Sequence, residues 1–506
     1  MTVRPAEKPL ESVPPITGWR RFALPSIADV VFVTIFSVAL ALGANLTQRD
    51  GDLARHLRLG RRIIEDGQLP TIDIYSHTRA GGEMVPYEWL GQAGFAAAER
   101  WLGFDGIGLL TALLVALPWV IMYRWLVKRA TPVGLSVMLV LLGVAASMIH
   151  WASRPHAFTW LFVVLYVILL EDLRRGHRQH VWVLVPLALL WVNTHGGFVV
   201  GFVLLGTYLL GAVVESYRSE ATRPSVDPLT RHLFTVLLGV FLVSFINPDA
   251  YRTVFHPFLV LLGNDFLLNF TTEYNSPNFH NALMWPFLAM ILLSIALPFR
   301  WTATTLLLTA SWIAAGLYSF RHVPLYALVV TPHLAHALTV LWPAAGRGRL
   351  ATRIGEYSRM EGKVIGGSLS VVLVALTIIF MTRTSGSGFE FSRGFFPIAA
   401  IETVGEMPPG QRVFNQFVWG GYLVYCCHPD IPVFIDGQTD FYGPELTAEY
   451  DQTIRGLPGW REVFERYDID WVLISPNTGL AQVLVEADDW SETYRDETSL
   501  IFARAP

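Results

Sequence analysis

The sequence predicts a polytopic α-helical membrane protein with a small α/β domain at its C-terminal end, and three observations carry that prediction. Of the 506 residues, 53% are hydrophobic and 15% are charged, where a soluble globular chain carries roughly a quarter charged residues. The apolar residues fall into runs close to the ~20 residues needed to cross a bilayer. After about Thr382 these runs shorten, Gly, Pro and acidic residues enter, and strand-like pieces alternate with helical ones. The 17 tryptophans suit interfacial anchoring. A net charge of -4 without a basic stripe argues against a nucleic-acid partner.

The runs lie near 27–46, 106–126, 131–149, 157–171, 181–194, 197–214, 233–247, 282–298, 302–319, 322–342 and 364–381, which predicts about eleven spans. The run at 181–194 is short for a full crossing. The first run is longer than the apolar core of a signal peptide and follows a long segment, so it reads as a retained span.

Basic residues orient these spans. Arg20 and Arg21 precede the first run. Arg124, Lys128 and Arg129 follow the second, Arg174, Arg175 and Arg178 the fourth, and Arg218, Arg223 and Arg231 the sixth. Arg300 follows the eighth, and Arg347, Arg349, Arg353, Arg359 and Lys363 the tenth. Every second connection is basic and therefore reads as cytoplasmic. The loop after the first run also carries Arg49, Arg55, Arg58, Arg61, Arg62, Arg79 and Arg100, but long translocated loops obey the charge rule poorly. The predicted plan is a cytoplasmic segment 1–26, a transmembrane domain 27–381 with a large first outer loop 47–105, and an extracytoplasmic α/β domain 382–506.

In that last domain, strands are expected at Arg412–Phe414, Tyr422–Cys427, Val433–Asp436, Trp471–Ser475 and Ser499–Ala503, with helices at 397–407, 445–456, 460–468 and 480–490. Alternating strands and helices argue for an α/β layer. Cys426 and Cys427, neighbours on an expected strand, should point to opposite faces and stay unbonded.

This topology gathers polar groups on the outer side. The first loop holds Asp50, Asp52, His56, Asp73, Tyr75, Glu88 and Trp89. Later connections add His150, Arg154 and His156, then Asn193 and His195, then Asn247, Asp249, Arg252, His256, Asp265 and Glu273, then Arg321 and His322. Histidines 56, 77, 150, 156, 195, 256, 280, 322 and 428 all fall outside, nine of the 14 in the chain. Ionisable groups near membrane depth tend to face a cavity or a partner, so a ring of them at one depth predicts a polar cavity open to the outer face. Each has a plainer reading by itself: Asp50-Gly51-Asp52 as a solvated turn, the arginines as interfacial anchors, and His195 as a satisfied turn histidine. Asp436 and Asp440 read equally as a strand-end turn or as ligands. Within the loop, Leu53, Leu57, Ile63 and Ile64 against Arg55, Arg58, Arg62 and Glu65 predict a helix over 52–66 along the outer membrane surface.

The first loop, from Gly51-Asp52 through His56-Leu57, Gly60-Arg61, Pro70, Asp73 and Tyr75-Ser76 to Glu88-Trp89-Leu90, resembles that of bacterial membrane proteins in the GT-C glycosyltransferase superfamily. Arg154-Pro155-His156, Trp191–Phe198 and Asn247-Pro248 add to the likeness, and Trp419–Tyr422 with Phe434–Gln438 resemble the outer domain of one branch. The resemblance implies a GT-C-like fold in the bacterial cytoplasmic membrane, a polyprenyl-phosphate-linked sugar as donor, and a glycan, lipid or protein acceptor. It implies that an early acidic residue acts at the acceptor, with Asp52 matching best and Asp50 second. Where aminoarabinose and protein O-mannosyl transferases carry an Asp-Glu pair, this chain has Asp52-Leu53.

A sugar on a lipid phosphate already has a good leaving group, so cationic donors for the departing phosphate matter most. Arg154, His195, Arg252 and Arg321 are the candidates, with His56, Glu88, His156, Asn193, Glu273 and His322 as further substrate-contacting groups. At least two of the first four should converge on one anion. No cofactor or metal ligand set is apparent, and a divalent cation remains open. A lipid-sugar transporter and a non-catalytic envelope-assembly protein are the rival classes. The transporter would need polar sites reachable from both faces.

Overall fold

The computed structural model describes residues 18–218, 227–261, 271–297, 301–345, 349–383, 388–401 and 410–505. Asp265, Arg223, Arg300, Arg347 and the second half of the helix expected at 397–407 lie outside them, as do residues 1–17 of the N-terminal segment.

After a single turn, α1 (Arg20–Ala23), the chain builds a helical bundle: α2 (Ile27–Thr47), α3 (Gly51–Asp66), α4 (Trp89–Leu102), α5 (Phe104–Lys128), α6 (Val133–Ser147), α7 (His156–Arg174), α8 (Leu184–Thr194), α9 (Val199–Arg218), α10 (Pro228–Val243), α11 (Tyr251–Leu261), α12 (Trp285–Ala296), α13 (Ala303–Tyr318), α14 (Val323–Ala345), α15 (Arg349–Lys363) and α16 (Ser368–Arg383). Among the described residues, six helical stretches are long and apolar enough to cross a membrane: Ile27–Thr47, Phe104–Lys128, Val133–His150, His156–Arg174, Gly196–Arg218 and Phe320–Leu341. A seventh arises if α16 and the end of α15, bent by 61°, count as one. Gly366 and Gly367, both at positive φ, permit that bend. The helices α8, α10, α12 and α13 are apolar but shorter.

Helix starts carry the expected caps. Ser26 accepts from Asp29 N while Asp29 reaches back to Ser26, a capping box. Asp227 caps α10 ahead of Pro228, and Gly67 ends α3 in the left-handed conformation.

The bundle has two polar ends. At one end Glu361 accepts from the first amides of α2, Ile27 N at 3.1 Å and Ala28 N at 3.2 Å, where the helix dipole favours an anion. Arg124 lies 3.6 Å from Glu361, Arg129 pairs with Asp172, Arg174 reaches Thr302, and Arg21 donates to Lys363 O. Those basic connections thus meet at one end. A buried cluster sits near it, where Glu171 pairs with Arg174 at 3.1 Å and accepts from the Tyr208 hydroxyl at 2.9 Å. The opposite end holds the first loop, and on it the C-terminal domain.

That domain contains α17 (Phe417–Cys427), α18 (Thr439–Ile454), α19 (Trp460–Arg466), α20 (Gly479–Val485) and a four-stranded sheet. The strands β1 (Arg412–Asn415), β2 (Ile469–Ile474), β3 (Trp490–Arg495) and β4 (Leu500–Arg504) run in the order β1-β2-β4-β3, with β1 and β2 parallel and the other pairs antiparallel. Four expectations fail here. Tyr422–Cys427 is helix, because Trp419–Val424 buries one continuous stretch between the first loop and the sheet. Val433–Asp436 is not a strand: Val433 bridges to Ser76 and the chain bends at Phe434. The end of the expected helix 480–490 gives way to β3, an edge strand whose alternation is weak. Cys426 and Cys427 are joined as a vicinal disulfide at the end of α17, since helical geometry does not send adjacent side chains to opposite faces.

The domain is not merely tethered. Trp419, Leu423, Val424, Val433, Leu473 and Ile501 join the buried core that runs through the bundle. A second core around Phe414, Tyr450, Phe464 and Phe502 belongs to the sheet itself. Gly420 and Gly421 make the contact possible: a Cβ on Gly420 would strike Ile435 O, and one on Gly421 would strike Gly51 O. The Trp-Gly-Gly-Tyr motif is a docking surface for backbone.

Candidate functional site

Helix α3 covers the expected 52–66, but its role differs from a surface helix. Leu53, Ala54, Arg55, His56 and Leu57 are buried between α4 and α17. Arg55 therefore does not face headgroups. Its Nε lies 3.3 Å from Asp436 Oδ2 and its Nη2 donates to Gln438 Oε1, tying the first loop to the C-terminal domain.

Around the start of α3 opens a cavity of about 560 Å³, its mouth included, lined by Asp52, Arg55, His56, Tyr87, Glu88, His150, Arg154, Pro155, His156, His195, Glu273, Arg321, Gly437, Gln438 and Asp440. Eight of the catalytic and substrate-contacting candidates from the sequence are thus brought together: Asp52, His56, Glu88, Arg154, His156, His195, Glu273 and Arg321.

Arg154 is the hub. Its Nε lies 2.6 Å from Asp50 Oδ2, and its Nη1 lies 2.7 Å from Asp52 Oδ2 and 3.1 Å from Glu273 Oε1. Asp50 sits just behind the wall. Its Oδ1 caps α3 by accepting from Asp52 N and Leu53 N, so one oxygen serves the helix start and the other meets Arg154. Burial pushes the Asp50 carboxyl up against the pull of Arg154. Burial opposes the charge on Glu273 too, but Arg154 and its cationic neighbours outweigh it and hold that carboxyl at about 2. Asp52 is paired with neither Arg55 nor Arg58, and no protein donor reaches its Oδ1 among the described residues.

Glu88 lies between two imidazoles, 3.3 Å from His195 Nε2 and 3.7 Å from His56 Nδ1. Burial, with Asp440 and Asp52 nearby, raises its carboxyl to about 8, so it keeps a proton at neutrality. The Gly197 amide donates to His195 Nδ1 at 2.9 Å. The neutral ring then carries its proton on Nε2, facing Glu88. Burial lowers the His56 and His195 rings below their ordinary range, so both act as neutral hydrogen-bonding groups. Arg321 lies over the Tyr274 ring at 4.6 Å.

Three sequence candidates stand apart from the cavity. Asn193 accepts from Trp89 Nε1 at 2.8 Å and donates to Leu189 O and Ile246 O, which fixes the turn after α8. Arg252 is spent on Glu83 and Asp249. The His322 ring is bound to Ala315 O. Among the described residues, no group of three or more His, Cys, Asp or Glu is arranged to hold a metal ion. The carboxylates that converge do so on a guanidinium.

The C-terminal domain supplies a wall of the cavity that no local pattern in the sequence marks as such. Gly437, Gln438 and Asp440 line the cavity with Tyr87. Asp440 Oδ2 lies 2.8 Å from His256 Nε2 and 3.5 Å from the Tyr87 hydroxyl, and the Tyr87 and His256 rings lie 4.7 Å apart. The available signal was the Asp-Gly-Gln turn at 436–438, already part of the resemblance.

This fold is found among solved structures. The oligosaccharyltransferase AglB from Archaeoglobus fulgidus, in complex with an inhibitory peptide and a dolichol-phosphate, aligns over 88% of this chain and 69% of its own, at 12% identity and a TM-score of 0.50. The chain has the GT-C fold. ArnT from Cupriavidus metallidurans in the apo state aligns over 94% of this chain and 97% of its own, at 14% identity and a TM-score of 0.47. No protein-family model and no curated protein sequence matches this chain.

Proposed function

We propose that this chain is a membrane glycosyltransferase that moves a sugar from a polyprenyl-phosphate-linked donor to an acceptor hydroxyl, at the extracytoplasmic face of a bacterial cytoplasmic membrane. One observation carries the reading: the Asp52 carboxylate, one oxygen fixed by Arg154 and the other without a protein donor, shares a cavity with Arg321 and His195. In this reading the acceptor oxygen attacks the anomeric carbon from the face opposite the phosphate. The new C–O bond forms as the sugar–phosphate C–O bond breaks, the phosphate leaves with the bonding pair, and Asp52 takes the acceptor proton. Configuration inverts.

Arg321 supplies hydrogen bonds to the departing phosphate. Arg154, engaged by three carboxylates, positions Asp52 rather than binding phosphate. The dolichol-phosphate bound in the AglB structure supports a lipid phosphate as donor carrier. The charged groups meeting at Arg154 do not form a metal-ligand set, and no step is routed through a metal. The basic end of the bundle is then cytoplasmic, the four shorter apolar helices complete eleven crossings, and 382–506 is extracytoplasmic.

Purified chain in nanodiscs, supplied with polyprenyl-phosphate sugars, tests this. Wild type yields a transfer product, and Asp52→Asn lowers turnover by about 10²–10⁴-fold while still binding the lipid phosphate. Wild-type turnover in that variant overturns the site assignment. Movement of the lipid-linked sugar between leaflets with no product favours a transporter.

A further inference from the structure

The wall facing the cavity from the C-terminal domain has hydrogen-bonding capacity that the proposed chemistry leaves unused. Gln438 is buried and gives its Oε1 to Arg55. Its amide NH2 must therefore point the other way, and no protein acceptor meets it among the described residues. Asp440 receives His256 and the Tyr87 hydroxyl on Oδ2, and no protein donor reaches its Oδ1 among the described residues. Both residues line the cavity, two positions apart on one turn. The residue between Asp436 and Gln438, Gly437, abuts the Asp52 carboxylate.

An amide donor beside a carboxylate acceptor matches a pair of neighbouring hydroxyls, one accepting and one donating. Buried polar groups without partners cost free energy, so an occupant lacking a second and third hydroxyl would leave this wall unsatisfied. A single serine or threonine hydroxyl engages Asp52 alone. A sugar ring engages all three groups, with the Tyr87 ring as a flat side wall.

We infer that the turn Asp436–Asp440 is the acceptor subsite and that the acceptor is a carbohydrate, held by Gln438 and Asp440 through hydroxyls next to the one that attacks. This rests on the transferase reading for the identity of the attacking hydroxyl, but the subsite can be tested without turnover.

Full-length chain in biotinylated nanodiscs, multimerised on fluorescent streptavidin, is applied to an array of immobilised oligosaccharides. Wild type marks a subset of glycans, and Gln438→Ala and Asp440→Asn each weaken that binding by about ten-fold, the worth of one hydrogen bond to a charged or buried group. Asp52→Asn retains it. Thermal unfolding of each variant controls for folding. Where transfer is measurable with a soluble oligosaccharide from the marked subset, the same two variants raise its KM more than they lower kcat. Absence of glycan binding by wild type, or equal binding by both variants, overturns the subsite even if lipid-linked sugar is transferred. Product found on a peptide or an amino lipid also overturns it. Glycan binding lost in both variants, with no transfer from any polyprenyl-phosphate sugar, supports the subsite and overturns the transferase reading alone.

Discussion

Replacing Gly437 by Ala tests how tightly the C-terminal domain sets the position of Asp52. A Cβ at 437 would overlap Asp52 Oδ1 and lie 2.8 Å from its Cγ, against an ordinary contact distance of roughly 3.5 Å. Something must move by roughly 1–2 Å to restore that separation. The turn is poorly placed to yield: Gln438 N donates to Asp436 Oδ1 at 2.8 Å, and both flanking side chains are anchored on buried Arg55. The carboxylate is the softer partner, but swinging it away strains its 2.7 Å contact with Arg154. Weakening that ion pair frees the carboxylate from its restraint, and a displacement of about 1 Å at a reacting group can cost about 10²-fold in rate. The expected result is a turnover lower by about 10²-fold with lipid-phosphate binding retained, measured by single-turnover transfer in nanodiscs beside Asp52→Asn. Wild-type turnover in Gly437→Ala, with Asp52→Asn inactive, would show that the turn does not position the base.

Three further outcomes are expected. Arg321→Lys replaces a two-pronged donor by a point charge and should weaken lipid-phosphate affinity by about ten-fold, read by titration of polyprenyl phosphate; unchanged affinity would remove Arg321 from the phosphate site. Glu88, held at about 8 against an ordinary 4.5, keeps a proton in the folded chain that the unfolded chain releases. Its contribution to stability is whole below about pH 4.5 and is lost as the pH rises toward 8, with a slope of up to about 1.4 kcal/mol per pH unit. Glu88→Gln should flatten that decline in unfolding measurements between pH 5 and 8, and an identical slope in both proteins would contradict it. In a background with Cys426 and Cys427 replaced by Ser, Glu445→Cys should react with an impermeant thiol reagent from outside, and Tyr357→Cys only after permeabilisation; the reverse pattern would invert the topology.

The bundle was legible in the sequence because crossing a bilayer is a local demand: each run must be apolar over its own length, whatever it packs against. The same locality exposed the polar residues at the helix mouths, since a charged group beside an apolar run stands out without knowledge of its partner. Asp52, Glu88, Arg154, His195 and Arg321 were recognisable in this way, and the structure brings all five to one cavity.

Partnership was not legible. That Arg55 turns inward to Asp436 rather than outward to water depends on a segment some 380 positions away, and a periodic pattern on α3 fits either arrangement. Arg252 looked equivalent to Arg321 until Glu83 and Asp249 claimed it. Tyr422–Cys427 looked like a strand because a short apolar run carries no period of its own. Only contact with Gly51 and Ile435, through Gly420 and Gly421, selects a helix there. The sequence by itself determined which residues had to leave the lipid and gather at one end. The tertiary structure decided which of them pair with one another and which remain to meet a substrate, because pairing is settled by close approach between segments that no local pattern relates.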